Sequence, residues 1–239
     1  MTITIHRGHN QIGGCITEVA TASTKIIIDL GQNLPKGNQP AVDDKASDEA
    51  IAALTKGVSA IFYTHYHGDH TDLFKYVPDG VKQYIGETAK EVMLLGYSRM
   101  AKSKKIEDVT PETVQKLETF ETFKAKDGIL IGDILVTPYF VSHSACDAYM
   151  FVIKADGKRI LHTGDFRGHG YLSSQLISNI EKYVQKRPID VLITEGTMLS
   201  RPNEHPMREQ DLQKEAVKMM KQYKYVFVFS SSTDMAEMP

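Results

Sequence analysis

Alternating apolar and polar positions run through the first hundred residues, in the pattern of half-buried strands. This alternation predicts five strands, over 2–7, 12–20, 25–30, 58–63 and 82–85. Apolar residues at helical spacing predict two helices, over 47–56 and 87–100. The first part of the chain should therefore place helices beside a sheet.

The rest of the chain repeats this mixture of patterns. We expect strands over 129–142, 148–155, 158–163, 190–194 and 225–229. Helices are predicted over 112–118, 171–186 and 207–222. Asp156 and Gly157 form a strong hairpin turn signal between two of the strands. Strand-rich blocks flanked by helices, without an internal repeat, indicate sheets covered by helices.

Composition adds limits on size and setting. The chain has 239 residues, and its hydrophobic fraction of 41% is enough for a sizeable core. A net charge of −2 excludes the large positive net charge that attracts nucleic acid to a whole protein surface. Any anionic partner must therefore be held by a local group of cations. No run approaches the roughly 18 apolar residues of a membrane span, and the start of the chain lacks a signal pattern. We expect a soluble, cytoplasmic protein with no membrane partner.

The chemistry concentrates directly after the fourth predicted strand, in Thr-His-Tyr-His-Gly-Asp-His at 64–70. In an extended chain His65 and His67 point to the same side, so both imidazoles can reach one ion. Gly68 then permits a sharp turn, after which Asp69 and His70 can face a second position. The alternative is an ordinary polar loop, but packing does not explain four such residues in six positions. We predict two adjacent metal ions.

Other candidates follow later strands. His143 and Asp165 each come just after a predicted strand, where loop chemistry on a rigid scaffold is expected, although each is ambiguous alone. His162 is interpreted as a hydrogen-bonded core residue, and His169 as a candidate substrate contact. Cys146 is a weak ligand candidate. Two cysteines support neither a disulfide framework nor a thiolate metal cluster.

The order of Asp29-Leu30-Gly31, the histidine motif, His143 and Gly164-Asp165 resembles the metallo-β-lactamase superfamily of hydrolases. This resemblance implies an α/β (α+β) fold, a four-layer αββα sandwich, with Asp29 supporting the site rather than binding metal. It also implies two divalent ions, most simply zinc, with manganese or iron as alternatives. The implied ligands are His65, His67 and His143 for the first ion, Asp69 and His70 for the second, and Asp165 bridging both.

Three further segments, over 142–149, 164–170 and 194–201, resemble the RNA-processing branch of that superfamily, which includes ribonuclease J and the cleavage-factor nucleases and carries an inserted β-CASP domain. The resemblance implies an RNA phosphodiesterase that uses a hydroxide bridging two metal ions. Asp69 and Glu195 are the implied catalytic residues, with Asp69 orienting the hydroxide. It divides the chain into a metallo-β-lactamase domain, 1–203, and the start of a truncated β-CASP domain, 204–239. RNA is the expected partner, and a homo-oligomer remains open.

The sequence departs from this branch in one respect. The branch carries later histidines that complete the second metal site, whereas only His205 follows Glu195 here. We therefore expect the second site to lack its final ligand. Two alternatives stay open: a small-molecule ester, thioester or lactam hydrolase, and a non-catalytic subunit of RNA processing. The candidate phosphate contacts are Arg167, Arg201, Arg99, Lys102, Lys104 and Lys105, the last four being also consistent with a solvated helix end.

Overall fold

Two β-sheets lie face to face in the computed structural model, which describes residues 1–35, 48–103, 106 and 108–229. The first sheet has six strands, in the order β1 to β6 across the sheet. These strands are β1 (Thr2–Arg7), β2 (Ile16–Ala20), β3 (Lys25–Ile28), β4 (Ala60–Phe62), β5 (Lys82–Gly86) and β6 (Glu121–Phe123). The first three are antiparallel to one another, and β3 to β6 are parallel. Four parallel strands thus direct their carboxyl ends toward one edge.

The second sheet has five strands, in the order β11-β10-β9-β8-β7. They are β7 (Ile129–Ile131), β8 (Ile134–Phe140), β9 (Tyr149–Ala155), β10 (Lys158–His162) and β11 (Val191–Ile193). All pairs are antiparallel except β10 with β11. The single strand predicted over 129–142 is thus a hairpin, because Gly132 turns the chain with a φ of +56°.

Helices cover the outer faces of both sheets. Their bounds are α1 (Asp48–Leu54), α2 (Gly68–Thr71), α3 (Glu87–Ser103), α4 (Pro111–Glu118), α5 (Ser173–Asn179) and α6 (Glu209–Met220). A 3₁₀ turn over 72–76 follows α2, and one π-helical turn over 180–184 continues α5. In α4 the Thr110 side chain accepts from the Thr113 amide, and Pro111 occupies a position that needs no amide donor.

Three apolar clusters separate the layers. Between the sheets, Phe62 stacks on Tyr84 and meets Phe151 edge to face. Outside the first sheet, Ile61 belongs to a cluster shared with α3 and α4, and outside the second sheet Leu176 of α5 joins a similar cluster. Because a strand exposes alternate residues to opposite faces, each sheet can bury both sides. The predicted four-layer αββα arrangement is confirmed.

Two predicted elements differ from the structure. The predicted strand over 12–20 starts only at Ile16, since Gly13 and Gly14 have φ values of +73° and +65° that strands do not use. The predicted strand over 225–229 is wrong, because these residues form no strand and their side chains are exposed. Residue 47, predicted to begin α1, lies outside the described residues. No helix in the described part of the chain has the length and apolarity to cross a membrane.

Replacing Phe151 by Ala should lower the free energy of unfolding by about 3–5 kcal/mol, because its fully buried ring fills the space between the two sheets. Urea denaturation measures this change. Leu130→Ala is the control, since Leu130 is 66% exposed and its loss should change stability by only about 0.5 kcal/mol or less. Equal losses in the two variants would contradict the assignment of Phe151 to the core.

Candidate metal centre

The histidine motif leaves the first sheet at the end of β4. His65 is completely buried, whereas His67 is partly exposed. His67 has extended backbone angles, φ −66° and ψ 145°, and the chain then enters the short helix α2 at Gly68. Asp69 and His70 lie in this helix. The turn predicted at Gly68 is therefore the start of one helical turn, which carries the second pair of candidate ligands.

One buried carboxylate holds this arrangement together. Asp29, just past the end of β3, is fully buried and has a φ of +58°. Its Oδ1 accepts from the Thr64 amide at 2.7 Å, and its Oδ2 accepts from the Thr64 hydroxyl at 2.9 Å. Oδ2 also accepts from His70 Nδ1 at 2.8 Å. A proton fixed on Nδ1 leaves Nε2 of His70 as the nitrogen that faces the site.

Backbone hydrogen bonds join the segment after β3 to α2. The Leu30 amide donates to the His70 carbonyl at 2.8 Å, and the Gln32 amide donates to the Gly68 carbonyl at 3.0 Å. A Cβ placed on Gly31 would lie 1.6 Å from the carbonyl oxygen of Asp69, so no side chain fits there. Asp29-Leu30-Gly31 thus fixes the position of α2 through a carboxylate and a close backbone approach.

Three imidazoles form the first ligand group. One ligand nitrogen each from His65, His67 and His143 lies within 4.8 Å of the others. The Thr64 hydroxyl, which donates to Asp29, accepts from His65 Nδ1 at 3.0 Å, so His65 presents Nε2. Nε2 of both His65 and His143 is buried without a hydrogen-bond partner in the described structure. Such orphaned nitrogens are what a bound cation would satisfy.

Burial favours the neutral form of His65 and of His143. It lowers the pKa of His65 well below its usual value, and the neighbouring His70 and His143 add to the effect. Burial likewise lowers the pKa of His143, to about 3, although Asp165 opposes it. Neutral imidazole is the form that ligates metal, so the donor set fits a divalent ion such as zinc.

The second ligand group consists of His65, His70 and Asp165, whose ligand atoms also lie within 4.8 Å of one another. His70 Nε2 is 3.5 Å from Asp165 Oδ1 and 3.8 Å from Asp69 Oδ2. The other Asp165 oxygen lies 4.0 Å from His143 Nε2. Asp165 thus belongs to the second group and approaches the first through His143, and its bridging role stays a prediction. His65 completes the second group, where the sequence analysis had assigned only Asp69 and His70 beside the bridge.

In the second group, burial and neighbouring charges shift the pKa values of His70 and Asp165 in opposite directions. Burial lowers the pKa of His70, but Asp29 and Asp165 outweigh it and hold that pKa well above its usual value. Burial raises the pKa of Asp165, yet His70 and His143 bring it below its usual value. Burial raises the pKa of Asp69. The Asp29 and Asp165 carboxylates thus favour a positive charge at His70, and a metal ion at Nε2 would supply that charge in place of the proton.

The loop that carries His143 is anchored by Asp147, which the sequence analysis did not select. Its carboxylate accepts from the amides of Thr88 and Ala89, at 2.8 and 3.1 Å, and from the Tyr149 hydroxyl. Those amides open α3, which follows Gly86 and so has no side chain of its own at the capping position. The sequence does show that the predicted helix lacks a capping side chain at its start. It does not show which residue caps the helix, because Asp147 lies 59 positions away along the chain.

Glu195 supports the loop that carries Asp165. Its Oε1 accepts from the Phe166 amide at 2.9 Å, directly after Asp165, and the catalytic role of Glu195 stays a prediction. His162 Nδ1 accepts from the Gly164 amide at 3.2 Å, as expected of a hydrogen-bonded core histidine. Both contacts orient the segment that presents the bridging carboxylate.

The remaining candidates lie outside the two ligand groups. Arg167 pairs with Glu209 of α6 at 3.2 Å, and Arg201 pairs with Glu204 at the same distance. The backbone carbonyl of His169 accepts from the Glu209 amide. Neither ligand group includes Cys146 or His205. Lys104 and Lys105 lie outside the described residues.

Comparison with known families identifies the superfamily of this chain. Residues 26–228 match the family described as the beta-lactamase superfamily domain. The chain belongs to this superfamily. A Thermotoga maritima structure assigned as a candidate metallo-beta-lactamase shares the fold, with a TM-score of 0.50, 15% identity and coverage of 81% of this chain and 92% of that one. A crystal structure of an Enterococcus faecalis protein of unknown function gives a TM-score of 0.71 at 22% identity, over 92% of this chain and 57% of that one.

Among sequence relatives, members of the superfamily with ribonuclease names recur. An RNase J-like protein of Methanocaldococcus jannaschii is 27% identical over 207 residues, covering 85% of this chain and 44% of that protein. Ribonuclease J of Helicobacter pylori is 25% identical over 162 residues, covering 67% and 22% respectively. The chain thus spans less than half the length of these curated relatives.

Replacing Asp29 by Asn should lower the affinity for zinc by about 10- to 100-fold, the usual effect of losing a group that orients a metal ligand. The new amide would present its NH₂ to His70 Nδ1, so the proton would move to Nε2 and block ligation there. Titration of the metal-free protein with zinc measures the affinity. Asp79→Asn is the matched control because the Asp79 side chain is fully exposed. Unchanged zinc affinity in Asp29→Asn would contradict the orienting role.

Replacing Asp147 by Ala should remove a cap from α3 and release the His143 loop. We expect a loss of about 1–2 kcal/mol in the free energy of unfolding, together with weaker zinc binding. Asp147→Asn should restore most of both, since its amide oxygen can still accept from the helix amides. Denaturation and zinc titration test the pair of variants. Normal zinc binding in a destabilised Asp147→Ala protein would show that the cap does not orient His143.

Proposed function

We propose that the protein is a metal-dependent hydrolase that cleaves phosphodiester bonds in RNA. The observation that carries this proposal is the convergence of two ligand groups that share His65, with Asp165 of the second group 4.0 Å from His143 of the first. Two such groups within a few ångströms form the arrangement that dinuclear phosphodiesterases use. The ribonuclease J names of the sequence relatives support RNA as the substrate.

The proposed ligands are those that the sequence motif and the family resemblance indicated. His65, His67 and His143 would hold one ion, Asp69 and His70 would serve the other, and Asp165 would contact both. Imidazole-rich ligation favours zinc, while the carboxylates of the second position also suit manganese or iron. When bound, two divalent cations would lower the pKa of a water molecule toward neutrality and polarise the scissile phosphoryl group.

The protein itself would orient the reaction. Asp69 Oδ2 lies 3.8 Å from His70 Nε2, where this carboxylate would bind the second ion and orient the attacking water. We propose Asp69 as a catalytic residue on this basis. Glu195 would act as a positioning residue, since its carboxylate holds the Phe166 amide beside Asp165.

Several features of the proposed enzyme stay predictions. A β-CASP domain beginning at residue 204 would explain why α6 has no buried residue and why Glu209 docks on the loop after Asp165. Arg167 and Arg201 are proposed contacts to the RNA backbone. A cytoplasmic setting and a homo-oligomer remain predictions too.

The decisive experiment compares RNA cleavage by the wild-type chain and by His67→Ala, each after incubation with zinc or manganese. Loss of one ligand of the first group should reduce cleavage of single-stranded RNA by about 100-fold or more and lower the bound metal below two ions per chain. His205→Ala is the matched control, because His205 is exposed and lies outside both ligand groups. Mass spectrometry of bound metal accompanies the cleavage assay.

Each alternative predicts a different result. Equal RNA cleavage by wild type and His67→Ala would contradict the proposed mechanism. Hydrolysis of a lactam, ester or thioester without RNA cleavage would favour the small-molecule hydrolase. Fewer than one metal ion per wild-type chain would favour a non-catalytic subunit.

A further inference from the structure

A second feature with unassigned chemistry lies on the outer face of the second sheet. There β8, β9 and β10 meet the segment after α5 in a groove of about 240 Å³. Nine residues line this groove, none of them acidic. Five carry positive charge, and we call the site the basic groove: Lys154, Arg159, Lys182, Lys186 and Arg187. Such a cluster is notable in a chain whose net charge is −2.

The basic groove is separate from the metal centre. Lys154 of β9 lies opposite Arg159 of β10 in the strand register, beside the hairpin turn at one end of β9. Tyr149 lies at the other end, where its amide donates to the Thr64 carbonyl of the metal-site loop. Lys154 lies five residue steps from Tyr149, about 17 Å at roughly 3.4 Å per residue, while Tyr139 of the groove pairs with Met150, next to Tyr149. Lys154 also points to the outer face of the sheet, away from the layer between the sheets.

Among the described residues, Asp190 is the carboxylate that lies against one of these cations, since it accepts from the Arg159 backbone amide at 2.9 Å. Within the described residues, Lys154, Lys182, Lys186 and Arg187 form no salt bridge. The Arg159 guanidinium donates only to backbone carbonyls, those of Val184, Arg187 and Pro188. Its Nε is buried without a hydrogen-bond partner. The groove therefore concentrates unpaired positive charge, which an anion from solution would stabilise.

Aromatic rings contribute part of the same surface. Tyr139 and Tyr183 stack with ring centroids 5.3 Å apart and planes inclined by 22°. Lys126 and Lys182 place their ammonium groups 4.9 and 5.4 Å from the Tyr183 ring. Cations combined with half-buried tyrosines are the usual composition of surfaces that bind single-stranded nucleic acid, through phosphates and through stacking. An acidic peptide would use the charges but not the rings.

We propose that the basic groove binds the sugar–phosphate backbone of single-stranded RNA at a distance from the metal centre. This inference rests on the proposed function for its choice of ligand. None of the residues that line the groove belongs to either candidate ligand group, so one strand of RNA would have to be long enough to contact both places. The groove would then tether long substrates while the metal centre cleaves them.

The test measures binding without cleavage, by fluorescence anisotropy of a labelled single-stranded RNA in the presence of a metal chelator. The variant carries Lys154→Glu, Lys182→Glu and Lys186→Glu. We expect its affinity to fall at least tenfold and its log–log salt slope to drop by about 2, since each lost cation contributes about 0.7. The matched control carries Lys56→Glu, Lys82→Glu and Lys218→Glu, three exposed sites with the same change in net charge. A milder variant, Lys154→Gln with Lys186→Gln, covers the case in which charge reversal prevents folding.

Equal weakening by the groove and control variants would overturn the proposal, because bulk charge would then explain the binding. Competition by polyglutamate as effective as by unlabelled RNA would overturn the assignment to nucleic acid.

Cleavage assays with the metal-loaded protein distinguish a failure of the groove from a failure of the proposed hydrolase activity. The groove variant should cleave a trinucleotide at the wild-type rate and show at least a tenfold higher KM for a long RNA. RNA cleavage with an unchanged KM would refute the groove alone, whereas groove-dependent binding without any cleavage would refute the hydrolase alone.

Discussion

The burial of one carboxylate, Asp29, is the constraint on which the site depends. Removing an ion from water costs on the order of several kcal/mol, so the group persists only where donors surround it. Here the amide and hydroxyl of Thr64 and the imidazole of His70 supply those donors. The same bonds join the end of β3, the end of β4 and α2. The interaction that compensates the buried charge therefore also sets the geometry of the candidate ligands.

The two sheets share the construction of this site. The first sheet delivers His65 through the chain that leaves β4, and the second delivers His143 and Asp165 after β8 and β10. Their separation depends on the apolar layer between the sheets, where Phe62 and Phe151 meet with ring centroids 6.0 Å apart. Protein interiors are close-packed and poorly compressible, so this layer fixes the distance between the ligands that the two sheets supply.

Much of this could be predicted because the signals are local. The spacing of His65 and His67 after a strand indicates a shared ligand position whatever the rest of the chain does. Contacts between distant segments have no such signal: Asp147 caps a helix 59 residues earlier, and the basic groove combines side chains from four segments. The strand predicted over 225–229 failed for a related reason. Alternating apolar residues form a strand only where a sheet offers hydrogen-bond partners, and the described residues offer none there.

The hydroxyl of Thr64 has one further consequence. It occupies Nδ1 of His65, which therefore has a single nitrogen to offer, although His65 belongs to both ligand groups. Two ions cannot share that lone pair. In the proposed site with two ions, the ion that takes it would gain an imidazole, and its neighbour would rely on Asp69, His70 and Asp165, a set richer in oxygen. The two positions should then load in succession with unequal affinity, and a mixed pair of metals would suit them better than a matched one.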